Sequence, residues 1–325
     1  MKSILGIGNA LVDTLISIES DEFLLRHHLL KGGMSLVDDH RIRQLLRGHR
    51  EIPVKSVGGS AANTIHALGI LGNRVSFIGK VGSDDWGDFF ESDLKTRGIT
   101  THLSRGKLPT GKALVLISRD SERTFATFLG SCGEQCAGDL REEFFIGPDI
   151  LYLEGYLIPN RELVQKAAWM ARKQQMTIAL DLSSYNVVEE NREFLRSFID
   201  ENVDILLANE DETRAFFGVF DPLENLSGFA RYCRIAILKM GAEGAYLQSG
   251  KEVHKIDPVK SRRRDTTGAG DLFAAGFLHG WSRGYDLSRC GKLGALLGGR
   301  VIEVVGAKMD DRRWKRVKKN LSTIR

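Results

Sequence analysis

Short apolar runs alternate along the chain with longer stretches in which apolar residues return at every third or fourth position. These are the two periods that separate strands from amphipathic helices. Residues 3–8 (SILGIG) predict a short buried strand ending in glycine, and residues 11–18 (LVDTLISI) a second strand. Residues 35–38 read as a short extended piece after the Gly32-Gly33 turn. The segment 59–71 (GSAANTIHALGIL) opens on small residues and continues at helical spacing, which predicts a helix. A strand over 75–81 and a helix over 85–97 follow, the helix stopped by Gly98. Strands over 112–117 and 124–128 flank a polar turn at 119–123.

Beyond residue 149 the rhythm changes to strands alternating with helices, closing on two successive strands. Strands are expected at 150–153, 177–181, 204–208, 235–240 and 244–248, with helices over 161–174, 191–201 and 210–217. Such alternation implies a mostly parallel sheet with helices on both faces, an α/β fold. The strand-rich pieces at about 12–19, 33–38 and 110–128 do not fit that rhythm. They are expected to form a small β-sheet projecting from the main domain as a lid. The six prolines are scattered and no repeat stands out, so residues 1–325 are expected to form a single domain.

Composition narrows the class without deciding it. The 325 residues are 42% hydrophobic and 27% charged, an ordinary globular balance. With 46 basic and 42 acidic residues the formal charge is +4, too mild to point to nucleic acid or a membrane. The N-terminal stretch has no signal-peptide pattern, and no apolar run approaches the roughly 20 residues that span a bilayer. Cys132 and Cys136 lack the paired partners of a zinc site, and a reduced, cytoplasmic protein is the expectation.

The chemistry concentrates in residues 265–280 (DTTGAGDLFAAGFLHG). Gly268, Ala269 and Gly270 make a small-residue loop running straight into an apolar helix, which bares backbone N–H groups for an anion. Asp271 falls in the first turn of that helix. A carboxylate there is favourable simply as a helix-end charge. Beside a bare anion hole it also suits a general base taking the proton of an attacking hydroxyl. No G-x-x-x-x-G-K-[ST] loop occurs, and the Gly6-x-Gly8 pair lacks the third glycine of a dinucleotide fingerprint.

Other segments supply polar groups at strand ends. Gly58, Gly59, Ser60 and Asn63 combine close backbone approach with an amide that donates and accepts. Asn9 and Asp13 follow the first strand and can bracket a pair of hydroxyls. Asn209 and Glu212 open a helix after a strand, where capping and a place near a metal are both open. The run Lys239-Met240-Gly241-Ala242-Glu243-Gly244 suits a turn against phosphates.

The D-T-T-G-A-G-D-x-F order, with G-G-S-A-A-N at 58–63 and N-x-x-E at 209–212, resembles the ribokinase-like, or PfkB, carbohydrate and nucleoside kinases over about residues 3–310. The resemblance implies a three-layer α/β/α domain with a β-sheet lid, in which Asp271 is the catalytic base and Gly268, Ala269 and Gly270 form the anion hole. It also implies substrate contacts from Asn9, Asp13, Gly58, Gly59, Ser60 and Asn63. Nucleotide contacts would come from Asn209, Glu212, Lys239, Gly241, Gly244 and Thr266. The implied cofactors are ATP and Mg²⁺, with Glu212 acting on Mg²⁺ partly through water. Asp265, Thr267 and the 304–307 loop resemble a monovalent-cation (K⁺) site. Pairing of lid strands in a homodimer is a further implication.

GNALVDTL, TFATFLGSC and YLEGYL look more like the adenosine-kinase-like branch. The expected acceptor is therefore the primary hydroxyl of a nucleoside or ribofuranoside, with Tyr185, Phe125 and Phe128 available to a purine. Ribose, fructose or a keto-sugar acid is the alternative. A non-catalytic binding protein would be expected to have lost Asp271, Gly268 or Gly270, and all three are present. The basic runs 260–264 and 311–325 read as solvated surface; the first also suits attraction of ATP phosphates.

Overall fold

The computed structural model describes all residues except 48–53, 121, 322 and 325. Ser121 of the expected turn and Ser322 and Arg325 of the basic tail therefore lie outside the described residues. In chain order the elements are β1 (Ile4–Ile7), β2 (Leu11–Ser17), α1 (Glu22–Arg26), β3 (Met34–Leu36), α2 (Asp39–Leu46), β4 (Val54–Gly58), α3 (Ser60–Ile70), β5 (Val75–Val81), α4 (Asp85–Thr96), β6 (Thr100–Arg105), β7 (Gly111–Ile117) and β8 (Arg123–Phe128). There follow β9 (Ile150–Glu154), α5 (Arg161–Lys173), β10 (Thr177–Asp181), α6 (Tyr185–Glu190), α7 (Arg192–Asn202), β11 (Ile205–Asn209), α8 (Glu210–Phe217) and α9 (Pro222–Phe229). The last are β12 (Ile235–Lys239), β13 (Ala245–Ser249), β14 (Glu252–Ile256), α10 (Ala269–Ser282), α11 (Leu287–Val301) and α12 (Asp311–Leu321).

Nine strands form one sheet in the order β14-β13-β12-β11-β10-β9-β1-β5-β6. It is parallel from β12 through β6, and β13 and β14 add an antiparallel edge. Its strands send alternate residues to opposite faces. Ile4, Phe77, Tyr152 and Leu207 meet α3, α4, α10 and α11 through Ile65, Phe90, Phe277 and Leu297. Leu5, Ile78, Leu153 and Leu206 meet α5, α7, α8 and α9 through Val164, Phe198, Phe216 and Phe229. The three-layer arrangement expected from the alternation is therefore present.

Chain order reverses at β1: β5 and β6 lie to one side of it, β9 to β12 to the other. A crevice opens at the carboxyl ends of parallel strands where the order reverses, and ligands bind there in open α/β sheets. The residues at those ends are polar: Asn9 just after β1, Glu154 ending β9, Asp181 ending β10, Asn209 ending β11 and Lys239 ending β12.

A second sheet of five strands, β3-β8-β7-β2-β4, stands beside the first. One face carries α1 and α2 on its own small core of Ile16, Leu24, Leu45 and Leu114, against which Phe128 packs. The sequence pattern located β2, β3, β7 and β8 but not β4, whose centre is the polar pair Lys55-Ser56; pairing with β2 holds it. The polar edge strand β6 (TTHLSR) and helices α1 and α2 were likewise not anticipated. In α12 the basic residues face outward while Trp314 and Val317 are buried, so the tail does not lie entirely free in solvent. Among the described residues no helix is long and apolar enough to cross a membrane.

Candidate active site

The loop before α10 is built as its small residues predict. Gly268 adopts φ +74°, and a Cβ there would strike Ala307. Ala269 N–H turns back to the Thr266 carbonyl at 3.1 Å, whereas the N–H groups of Gly270 and Asp271 stand at the open helix end with no preceding turn to satisfy them. The Thr266 side chain is exposed.

Asp271 is half-buried and held on both oxygens. Ser60 Oγ donates to Oδ1 at 2.7 Å, and Asn63 Nδ2 donates to Oδ2 at 2.9 Å. Thr64 Oγ1 donates to its backbone carbonyl at 3.1 Å. Burial pushes its pKa up to about 6, opposed by the donors Asn63 and Ser60, while the negative charge of Asp181 adds to the rise. A carboxylate poised there ionises near neutral pH and stays basic enough to accept a proton.

Opposite α10, α3 begins at Ser60 directly after β4. Gly59 has φ +94°, and a Cβ on it would collide with the Asn9 carbonyl oxygen, so only glycine lets α3 enter this close to β1. Gly58 sits beside Asp13, leaving the space its carboxylate occupies. Asn9 lies at the end of β1 as expected, but its amide is engaged by protein: Glu154 Oε1 accepts both Asn9 N–H (2.9 Å) and Nδ2 (2.7 Å), and Oε2 accepts Ala61 N–H (2.7 Å). Glu154 is fully buried, and burial raises its pKa to about 7 against these donors.

The other half of the site carries the expected nucleotide residues. Asn209 and Glu212 form a reciprocal capping box on α8: Glu212 N–H donates to Asn209 Oδ1, and the Glu212 carboxylate accepts Asn209 N–H and Nδ2, each at 2.8 Å. The capping role is thus real, and a place near phosphate does not conflict with it. Burial raises Glu212 to about 7, with Lys239 pulling it down and Asp181 pushing it up. Lys239 Nζ lies 2.9 and 2.8 Å from the two oxygens of Asp181. It also lies 3.3 Å from where a Gly270 Cβ would be, directly against the anion hole. Gly241 and Gly244 hold the following turn with φ +48° and +91°, and Met240 N–H donates to the Gly244 carbonyl.

Asp265 Oδ1 accepts Thr267 N–H (3.0 Å) and Oγ1 (2.9 Å), and Oδ2 accepts Gly306 N–H (2.6 Å). The carboxylate therefore ties the 304–307 loop to the start of the anion hole. Of the aromatic candidates, Phe128 belongs to the second sheet's own core, Phe125 is half-buried on β8, and Tyr185 is 52% exposed at the start of α6. Residues 260 and 262–264 are exposed.

Pattern reading missed Glu154, Asp181 and Tyr156. The signal of the two carboxylates was present: each ends an apolar strand, and in a parallel sheet those ends converge, while Tyr156 lies two residues beyond the end of β9. Tyr156, 40% exposed, has its phenol held neutral by burial and by the surrounding Asp271, Glu154, Glu212 and Asp181. Asp181, Glu212 and Asp271 face the Lys239 ammonium, a charge balance that fits a divalent cation. Among the described residues no three His, Cys, Asp or Glu side chains converge as a metal cage. A Mg²⁺ ion held by one or two carboxylates, waters and phosphate oxygens fits that donor set.

The profile of the pfkB family carbohydrate kinases matches residues 43–312. The structure of adenosine kinase from Sinorhizobium meliloti superposes with TM-score 0.89 at 32% identity, covering 98% of this chain and 99% of that one. The 5-dehydro-2-deoxygluconokinase of Bacillus licheniformis is 27% identical over 271 residues, 76% of this chain and 81% of its own length. Guanosine-inosine kinase of Escherichia coli is 28% identical over 258 residues, 75% of this chain but only 59% of its own length.

Proposed function

The chain belongs to the pfkB family of carbohydrate kinases, and we propose that it transfers the terminal phosphoryl group of MgATP to the primary hydroxyl of a nucleoside. The observation that carries this reading is the placement of Asp271, whose carboxylate is oriented by Ser60 and Asn63 on one side while the open N–H groups of α10 and Lys239 lie on the other.

In this reading the acceptor lies over β1 and β9 against Asp13, Gly58, Gly59 and Asn63, and ATP lies over β10 to β12 and the Gly241–Gly244 turn. Asp271 takes the hydroxyl proton, the acceptor oxygen bonds to the γ-phosphorus, and the bond to the ADP oxygen breaks. The N–H groups of Gly270 and Asp271 stabilise the charge spread over the phosphoryl oxygens. Mg²⁺, when bound, neutralises phosphate charge, and Glu212 and Asp181 are the carboxylates placed to hold its waters. The second sheet acts as a lid that excludes water over the acceptor.

The nucleoside choice is supported by the likeness to an adenosine kinase along 98% of the chain. A keto-sugar acid is the second reading, favoured by the similarity to a 5-dehydro-2-deoxygluconokinase. The test is ADP release from MgATP with adenosine, guanosine, inosine, ribose, fructose and a keto-sugar acid, with and without K⁺. Turnover restricted to nucleosides supports the proposal; turnover restricted to a sugar or sugar acid overturns the acceptor assignment and leaves Asp271's role standing.

A further inference from the structure

Lys308 follows the loop that Asp265 holds, and two contacts of that loop fix where it lies. Gly306 packs against Leu15, which shares a face of β2 with Asp13. Ala307 packs against Gly268 at the foot of α10. Lys308 thus stands between the Asp13 face of the second sheet and the helix that carries Asp271. Its Nζ is buried and has no hydrogen-bond partner among the described residues. Asn63 Oδ1, the other end of the amide that holds Asp271, is also buried and without a partner among the described residues. Buried polar atoms are rarely left so, because an unmade bond costs the full desolvation of the group.

The groups facing the ammonium are Asp93 and Arg97 of α4, His66 of α3, Asp13 of β2 and Asp271 of α10. Burial pulls Lys308 down to about 8, which leaves it charged at neutral pH. A substrate carboxylate brought here would meet three acidic side chains. A neutral hydroxyl is not repelled by them, and it can both donate and accept.

We propose that Lys308 is a specificity-determining residue of the acceptor site, donating to an oxygen of a neutral vicinal diol whose hydroxyl hydrogens go to Asp13 and Asn63 Oδ1. The inference rests on the kinase reading above and deepens it: the acceptor is a neutral polyol such as a ribofuranoside, not a sugar acid.

The test uses the full chain and its Lys308→Met and Lys308→Arg variants. Calorimetric binding and turnover are measured with adenosine, its 2′-deoxy and 3′-deoxy analogues, ribose, fructose and a keto-sugar acid. Loss of one charged hydrogen bond predicts that Lys308→Met weakens adenosine about 10- to 100-fold. The effect should shrink to about threefold or less for the deoxy analogue that lacks the contacted hydroxyl, with the KM for ATP unchanged. Lys308→Arg keeps a charged donor and should keep most of the preference. A melting temperature of Lys308→Met close to wild type shows that the variant is folded, so that weakened binding reads the lost contact and not the fold.

Equal weakening of every analogue, or none, overturns the role of Lys308. If wild type accepts only a free sugar, the nucleoside reading falls, and the same comparison with that sugar and its deoxy form decides Lys308. Acceptance of the sugar acid alone overturns the neutral-diol inference. Binding of none of these ligands overturns both readings.

Discussion

Lys239 and Asp181 end neighbouring-but-one strands of the main sheet and meet as a buried ion pair, with Nζ 2.9 and 2.8 Å from the two carboxylate oxygens. The pair is 13% and 3% exposed at its side chains and sits against the loop that opens α10. Its charge is therefore available to phosphate while its position is fixed. Replacing Lys239 by Met leaves Asp181 buried without its counter-charge. The expected result is a stability loss of about 3–5 kcal/mol and a raised KM for ATP, measured by denaturant unfolding and initial rates. An unchanged KM for ATP would remove Lys239 from the nucleotide site.

Asp271→Asn keeps the shape of the side chain and removes its basicity. Turnover should fall about 10²- to 10⁴-fold, while calorimetry should find ATP affinity within a few-fold of wild type. Retained turnover would sink the base assignment. In the wild type, kcat/KM should drop about tenfold per pH unit below about 6, where burial sets the Asp271 ionisation.

The same shift has a stability consequence. The Asp271 carboxyl ionises near 4 when unfolded and near 6 when folded, so ionisation costs folding energy that is absent below about pH 4 and complete above about pH 6. Buried His66 and His279, each brought down to about 4, act in the opposite sense between about pH 4 and 6.5. The informative quantity is the difference between Asp271→Asn and wild type. That difference should favour the variant increasingly from about pH 4 to about pH 6 and level off above it, and a melting-temperature difference flat from about pH 4 to about pH 7 would contradict it.

Glu154→Ala leaves Asn9 N–H, Asn9 Nδ2 and Ala61 N–H without their acceptor. At about 1–3 kcal/mol for a buried donor left unmade, the variant should be destabilised by several kcal/mol and should bind the acceptor more weakly. Thermal melts and the acceptor KM measure both. Unchanged stability would mean that water replaces the carboxylate at no cost.

Chelation of divalent cations with EDTA should abolish turnover and leave calorimetric binding of the acceptor within about twofold, because Asp13 and Asn63 belong to β2 and α3 whereas Glu212 belongs to α8 after β11. Restoration by Mg²⁺ completes the test. Undiminished turnover in EDTA would refute the metal role given to Glu212 and Asp181.

What the sequence determined by itself is whatever depends on neighbours within one turn or one strand. The small residues Gly268, Ala269 and Gly270 before an apolar run fix a bare helix start wherever they are placed, and Asp271 falls in its first turn. The strand-helix alternation after residue 149 dictates a parallel sheet, because crossovers must return each strand to the same edge. The Asn209–Glu212 capping box is likewise local, closed within four residues. The tertiary structure alone decided which strand ends meet. Glu154 reaches Asn9 and Ala61 because β9 lies beside β1, where the chain order reverses, and Asp181 reaches Lys239 because β10 and β12 end on the same side of the sheet with only β11 between them. The strand β4 and the ammonium of Lys308 were illegible for the same reason. A polar pair within a strand, or a lysine after a loop, acquires its meaning from partners far away in the chain, and no local period records them.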